Sequence, residues 1–178
     1  MTRLRDSSDK HPAPESLCLK CGLCCNGVIF ADVKLQARDD SQRLRTLGLP
    51  LASSGRRDLK FSQPCSAFDG CRCRIYAERP RYCRDFECIL LKNVIAGRLT
   101  YGAALQTVRS ATEKVDAVRD LLRALGDNDE QLAIAARFRK MTAEFEREPL
   151  QDERADLYGR LTLAVHDLNC LLSEAFYR

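Results

Sequence analysis

A mainly α fold is expected from three features of the chain. Of its ten cysteines, all but Cys170 fall between residues 18 and 88. From Met1 to Gly70 the apolar residues are broken up by polar and turn residues, whereas from Ile89 onward they form long periodic runs. Those runs are joined by short links with turn and capping residues. Together these features predict an irregular cysteine-rich module with short strands, packed on a C-terminal antiparallel helical bundle. The expected parts are a flexible tail over residues 1–16, a cysteine-cluster metal-binding module over 17–97, and the helical bundle over 98–178.

The tail is rich in charge, Ser and Pro. Val28, Phe30, Val33 and Leu35 suggest a short strand with an irregularity. Asp39 or Asp40 can cap a helix over Ser41–Leu47, which Gly48 ends. Residues 50–60 read as a loop around Ser53-Ser54-Gly55, and Leu59 and Phe61 as a second short strand. Pro80 suits a helix start, and one helix is expected over Pro80–Ala96. It would set Cys83 and Cys88 about 140° apart around its axis. Thr100 can cap a helix ending before Gly126, with Leu105, Val108, Val115, Val118, Leu122 and Leu125 inward. Asn128 can cap the next, with Leu132, Ala135, Phe138, Met141 and Phe145 inward. Pro149 opens the last, with Leu157, Leu161, Ala164, Leu168, Leu171 and Ala175 inward. Cys170, within that helical pattern, reads as a packed small hydrophobe.

The length of 178 residues suits one domain, or a small domain with a helical extension. Residues 1–16 contain no apolar stretch of the kind found in a signal peptide. No apolar run reaches the roughly 18 to 20 residues needed to cross a bilayer. The expected location is therefore the reducing cytoplasm, with no membrane partner. Clustered cysteines there signal metal or redox chemistry rather than disulfides. The formal charge is +4 with thiols counted as neutral. Two four-thiolate sites on divalent ions would each carry about −2, bringing the loaded protein near neutrality. That argues against a nucleic-acid partner and leaves the helical half as a candidate docking surface for a protein.

The chemistry rests on Cys18-x-x-Cys21-x-x-Cys24-Cys25. A Cys-x-x-Cys turn lets two sulfurs converge on one ion. Four such positions exceed what one tetrahedral ion takes from one short loop. Adjacent side chains diverge, so Cys24 and Cys25 could serve two centres or opposite corners of one cluster. Gly22 frees the turn between them and Cys21. Cys65, Cys73, Cys83 and Cys88 supply the remaining donors, enough for two complete sites without histidine. Cys71 and Cys170 are then surplus, and His11 and His166 read as solvated or structural. Arg72, Arg74, Arg79, Arg81 and Arg84 crowd the second group. Some of their guanidiniums are expected to offset the negative charge of the thiolates by hydrogen bonding to sulfur.

The run Cys18-Leu-Lys-Cys21-Gly-Leu-Cys24-Cys25 resembles the defining motif of the YkgJ-like cysteine-cluster (CxxCxxCC) family, associated with chelation of zinc or iron. The resemblance continues at Pro64-Cys65 and from Cys73-Arg-Ile-Tyr76 through Arg79-Pro80 and Cys83-Arg84 to Cys88. It implies Cys18, Cys21, Cys24, Cys25, Cys65, Cys73, Cys83 and Cys88 as metal ligands, and zinc or iron, including an iron–sulfur cluster, as the cofactor. Cys71 has no counterpart in that pattern. Three functional classes follow: a metal-stabilised binding protein, an iron–sulfur redox or electron-transfer protein, and a metal-supported protein-modifying enzyme. A site closed by four thiolates argues against hydrolytic zinc, which keeps a water position. No Ser-His-Asp set, H-E-x-x-H or phosphate-binding glycine loop is present to favour an enzyme. No catalytic residue is therefore expected.

Overall fold

The computed structural model describes residues 15–53, 58–70, 72–147 and 152–177. His11, Cys71 and Pro149 lie outside the described residues, as does nearly all of the expected tail. The fold is mostly helical with one small antiparallel sheet.

The first element is a helix that the sequence pattern did not announce, α1 (Glu15–Cys21), which carries the first two cysteines of the motif. Strand β1 (Asp32–Lys34) is shorter than the expected run from Val28. Helix α2 (Ser41–Thr46) is capped by Asp40, whose carboxylate accepts the Arg43 N–H at 2.9 Å. Gly48, at φ +87°, ends that turn as expected. Strand β2 (Ala52–Ser53) falls within the expected loop, and β3 (Leu59–Ser62) follows. Strand β3 lies between the other two, pairing Val33 with Phe61 and Ala52 with Lys60.

The single helix expected over Pro80–Ala96 is two helices. After a 3₁₀ turn at Tyr76–Glu78, α3 (Arg81–Asp85) stops at Phe86, whose backbone is extended, and α4 (Ile89–Ile95) begins after Cys88. Aromatic packing accounts for the break. Phe86 turns its ring onto Phe30, centroids 4.8 Å apart, and Tyr82 packs edge-on to Phe30 as well. Cys88 then caps α4, its sulfur accepting the Leu91 N–H at 3.5 Å. The 140° relation between Cys83 and Cys88 therefore does not hold.

Helix α5 (Tyr101–Ala124) begins at the predicted cap, with Thr100 Oγ1 accepting the Ala103 N–H. Helix α6 (Ile134–Phe145) starts later than Asn128 would place it. Two contacts hold the intervening segment out of helix. The Ile134 N–H donates to the Gly27 carbonyl at 3.0 Å. Asp127 and Arg137 form a buried ion pair, Nε to Oδ2 at 3.0 Å, and Arg137 also donates to the Asp127 carbonyl. Helix α7 (Asp152–Ala175) packs along α5.

Two hydrophobic cores result. The larger joins Val108, Val115, Val118 and Leu122 of α5 to Met141 of α6 and to Leu161, Leu168 and Leu172 of α7. It also takes in Leu17, Leu23 and Val28 beside the first cysteines, and Leu90 and Leu91 of α4. The smaller gathers Val33, Leu44, Leu49, Leu51, Phe61 and Ala67 around the sheet. Leu105, Phe138, Phe145 and Leu171 are half-buried against the larger core rather than enclosed. Leu132 and Ala135 are exposed, so the stripe expected on α6 is rotated toward Ile134, Arg137 and Met141. Cys170 is exposed on α7 with its sulfur 3.6 Å from His166, not packed inside.

Candidate metal centre

Helix α1 sets Cys18 and Cys21 one turn apart, on the same side of the helix. It ends at Gly22, whose φ of +67° L side chains rarely adopt. A Cβ there would also meet the Phe68 ring at 2.6 Å. Phe68 comes from the second cysteine segment, so this close approach clamps the two segments together. Beyond Gly22 the chain curls, with Cys25 N–H and Asn26 N–H both donating to the Gly22 carbonyl. The turn delivers Cys24 and Cys25 beside the helix end.

A backbone hydrogen bond then ties the segments directly: the Cys65 N–H donates to the Cys25 carbonyl at 2.8 Å. Residues 65–74 form a tight loop, closed by a β-bridge between Phe68 and Cys73 and by the Arg74 N–H to Ala67 carbonyl bond. Cys83 comes from α3 and Cys88 from the cap of α4. All eight cysteines line one cavity of about 260 Å³ between α1, the sheet and the paired short helices. No disulfide is formed among the described cysteines. Among the described residues, no group of three or more His, Cys, Asp or Glu side chains is arranged to hold a metal ion.

Electrostatics divides the cavity in two. Burial pushes the Cys21 thiol up to about 12, with added repulsion from Cys88 and Cys18 and partial relief from the Leu23 backbone. Cys24 is raised well above its ordinary value by burial and then by Cys21, Cys25, Cys88 and Cys18. Burial likewise lifts Cys25 to about 12, with Cys73, Cys65 and Cys83 adding to it and Arg79 opposing. Cys83 also reaches about 12, through burial, Cys65 and Cys73, again against Arg79. Cys65 is raised by burial, with Cys73 adding and Arg74 opposing. Cys88 is raised by burial, opposed chiefly by the backbone N–H groups of Leu91 and Leu90. The repulsions thus sort into Cys18, Cys21, Cys24 and Cys88 on one side and Cys25, Cys65, Cys73 and Cys83 on the other. The adjacent pair Cys24 and Cys25 joins them. The same division appears in the packing: Cys21 and Cys88 lie against the larger core, Cys65 and Cys83 against the smaller.

A family comparison fits this arrangement. The family model described as "Putative zinc- or iron-chelating domain", CxxCxxCC, matches residues 17–112, more than half of the chain. The chain belongs to the CxxCxxCC family. No curated protein and no solved structure matches it. The CxxCxxCC match covers all eight of the cysteines that line the cavity and runs on into the first half of α5.

The arginines expected at the sulfurs of this CxxCxxCC domain play several parts. Arg79 stacks its guanidinium on the Tyr76 ring, 3.5 Å from the centroid, and donates to the Tyr76 carbonyl. From there its charge favours the thiolate forms of Cys25 and Cys83. Arg74 donates to the Ser66 carbonyl, and Arg81 pairs with Asp85 in the next turn. Three neighbours of the cavity carry no sequence signal for such a place. Tyr177, from the end of α7, has its phenol raised by burial and then by Cys24. Asp39 accepts the Arg81 N–H at the start of α3 and raises Cys83 slightly. Gln63 lines the cavity from the end of β3. No motif or periodicity marks these three, because each reaches the cavity only through the tertiary fold.

Proposed function

We propose that the protein holds zinc or iron through two cysteine quartets, Cys18, Cys21, Cys24 and Cys88 in one, Cys25, Cys65, Cys73 and Cys83 in the other. The observation that carries this reading is that all eight cysteines line one cavity, with Cys21 and Cys88 packed against the larger core and Cys65 and Cys83 against the smaller. Thiolates gathered around one cavity repel one another, a bound cation relieves that repulsion, and four thiolates complete the coordination of zinc or of an iron–sulfur centre. The donor chemistry therefore fits the group that the family description names. The sulfurs must draw closer together than they now stand to share an ion. Burial raises the cost of a thiolate without a cation, so the cysteines stay protonated until metal arrives, and loading releases protons.

Bound zinc would supply a structural cross-link, and a bound iron–sulfur cluster would supply one-electron chemistry. In either case the chain's own work is to pin four loop and helix-end segments together. Cys18 and Cys21 are held by α1 on the larger core, and Cys65 and Cys73 by a closed loop on the smaller. Sulfur-only coordination leaves no water position, so the role is structural or electron-transferring rather than hydrolytic.

Anaerobic purification followed by metal and acid-labile sulfide analysis tests this reading. Cys21→Ser and Cys83→Ser should each lower the metal content by about half if the quartets hold separate ions. Cys170→Ser should keep the full content. Full metal retention in both Cys21→Ser and Cys83→Ser would remove the reading.

A further inference from the structure

Gln63 directly follows strand β3, and its peptide bond to Pro64 is cis. Its backbone N–H donates to the Ala31 carbonyl at 3.0 Å, which fixes its position beside β1. The residue is 2% exposed and lines the same cavity as the eight cysteines. Its side-chain Oε1 is buried with no hydrogen-bond partner, alone in that respect among the buried side-chain polar atoms of the described residues. An amide oxygen left so carries a desolvation penalty that a leucine or methionine of similar size would avoid. Packing alone does not ask for a carboxamide here.

The chemistry of the cavity does. Thiolates bound to a cation are hydrogen-bond acceptors, and donors around them orient the sulfurs and spread their charge. A carboxamide carries both kinds of group, and a half-turn about its last torsion exchanges oxygen for NH₂. Unlike the guanidinium of Arg79, it adds no charge to the cavity. We propose that Gln63 is a positioning residue of the metal centre, its carboxamide NH₂ donating to a thiolate sulfur once metal is bound. This inference rests on the reading of the cavity as a thiolate metal site. It assigns to Gln63 a cost in the metal-free protein and a gain in the loaded one. Removing the carboxamide therefore moves the two states in opposite directions, which a merely structural residue does not do.

The test compares wild type with Gln63→Met and Gln63→Leu, both apolar and close in volume. Zinc(II) and iron(II) affinities are measured by competition with a chromophoric chelator, and metal-free melting midpoints are recorded alongside. Affinity should fall about tenfold or more, with the metal-free midpoint unchanged or raised. In cobalt(II)-substituted protein, the thiolate-to-cobalt charge-transfer band should shift between wild type and Gln63→Met. Wild-type affinity in both variants, with an unshifted band, overturns the inference and leaves the metal reading standing. A lowered metal-free midpoint without loss of affinity overturns it too, by making Gln63 structural. A wild type that binds neither metal overturns the metal reading and this inference together.

Discussion

At the scale of single residues, the cysteine cavity depends on Gly22 as much as on its sulfurs. The positive φ costs an L residue about 1–2 kcal/mol, and at Gly22 the Phe68 ring leaves no room for a Cβ. Gly48 has a similar φ, yet nothing lies within 4 Å of its would-be Cβ. In a denaturant melt, Gly22→Ala should therefore cost more than Gly48→Ala, and the excess measures the clamp between the two cysteine segments. Equal losses would mean that the Phe68 contact contributes nothing. The thiols predict an inverted pH response. Cys21, Cys25 and Cys83 are lifted from 9.0 to about 12. Raised values mean that the unfolded chain gives up its protons first. Metal-free stability is thus fully present below about pH 9 and declines as pH climbs toward about 12. With metal bound the thiolate is the held form, so stability is instead lost toward acid. Melts of both forms across pH check this, and a metal-free protein insensitive to alkali would contradict it. The cysteine motif was legible in the sequence because its spacing is local. Gln63, Asp39 and Tyr177 were not, since a single residue brought in by a distant element leaves no pattern.

Local signals succeeded for elements whose ends are set by their own residues. Asp40 and Thr100 cap α2 and α5 through side-chain bonds within one turn, and Gly48 closes the first of these. They failed where a distant contact decides. The break between α3 and α4 follows from Phe86 turning to Phe30, far back in the chain. The late start of α6 follows from the Gly27 carbonyl and from the Asp127–Arg137 pair. Periodicity also counts Arg137 as polar and places it outside, although its guanidinium is buried and paired. Among the helices, α5 and α7 carry the main interface, with Leu161 fully enclosed. Leu161→Ala should cost roughly 2–5 kcal/mol in a denaturant melt. A loss near zero would mean that α7 does not pack as described. Leu163, on the same helix, is 67% exposed, and its replacement by Ala should change stability little.

For the molecule as a whole, the two cores imply unequal dependence on the proposed metal. Cys21 and Cys88 stand on the helices, packed against the core that also buries Leu17, Leu23 and Leu90. Cys65 and Cys83 stand on the small core around the sheet, which has few apolar residues to hold it. Chelator treatment under reducing conditions should therefore expose residues 58–88 to protease while most of the far-ultraviolet helical signal remains. Simultaneous loss of both signals would show a single cooperative unit. The mainly helical character was readable from composition and stripes, but which core each cysteine segment joins was not, since periodicity says nothing about partners. Thiolate sulfur is the proposed metal donor, and X-ray absorption at the edge of the metal retained by the purified protein reads that donor out. The predicted result is about four sulfur neighbours per metal, at about 2.3 Å if the metal is zinc. A first shell dominated by oxygen or nitrogen would contradict it.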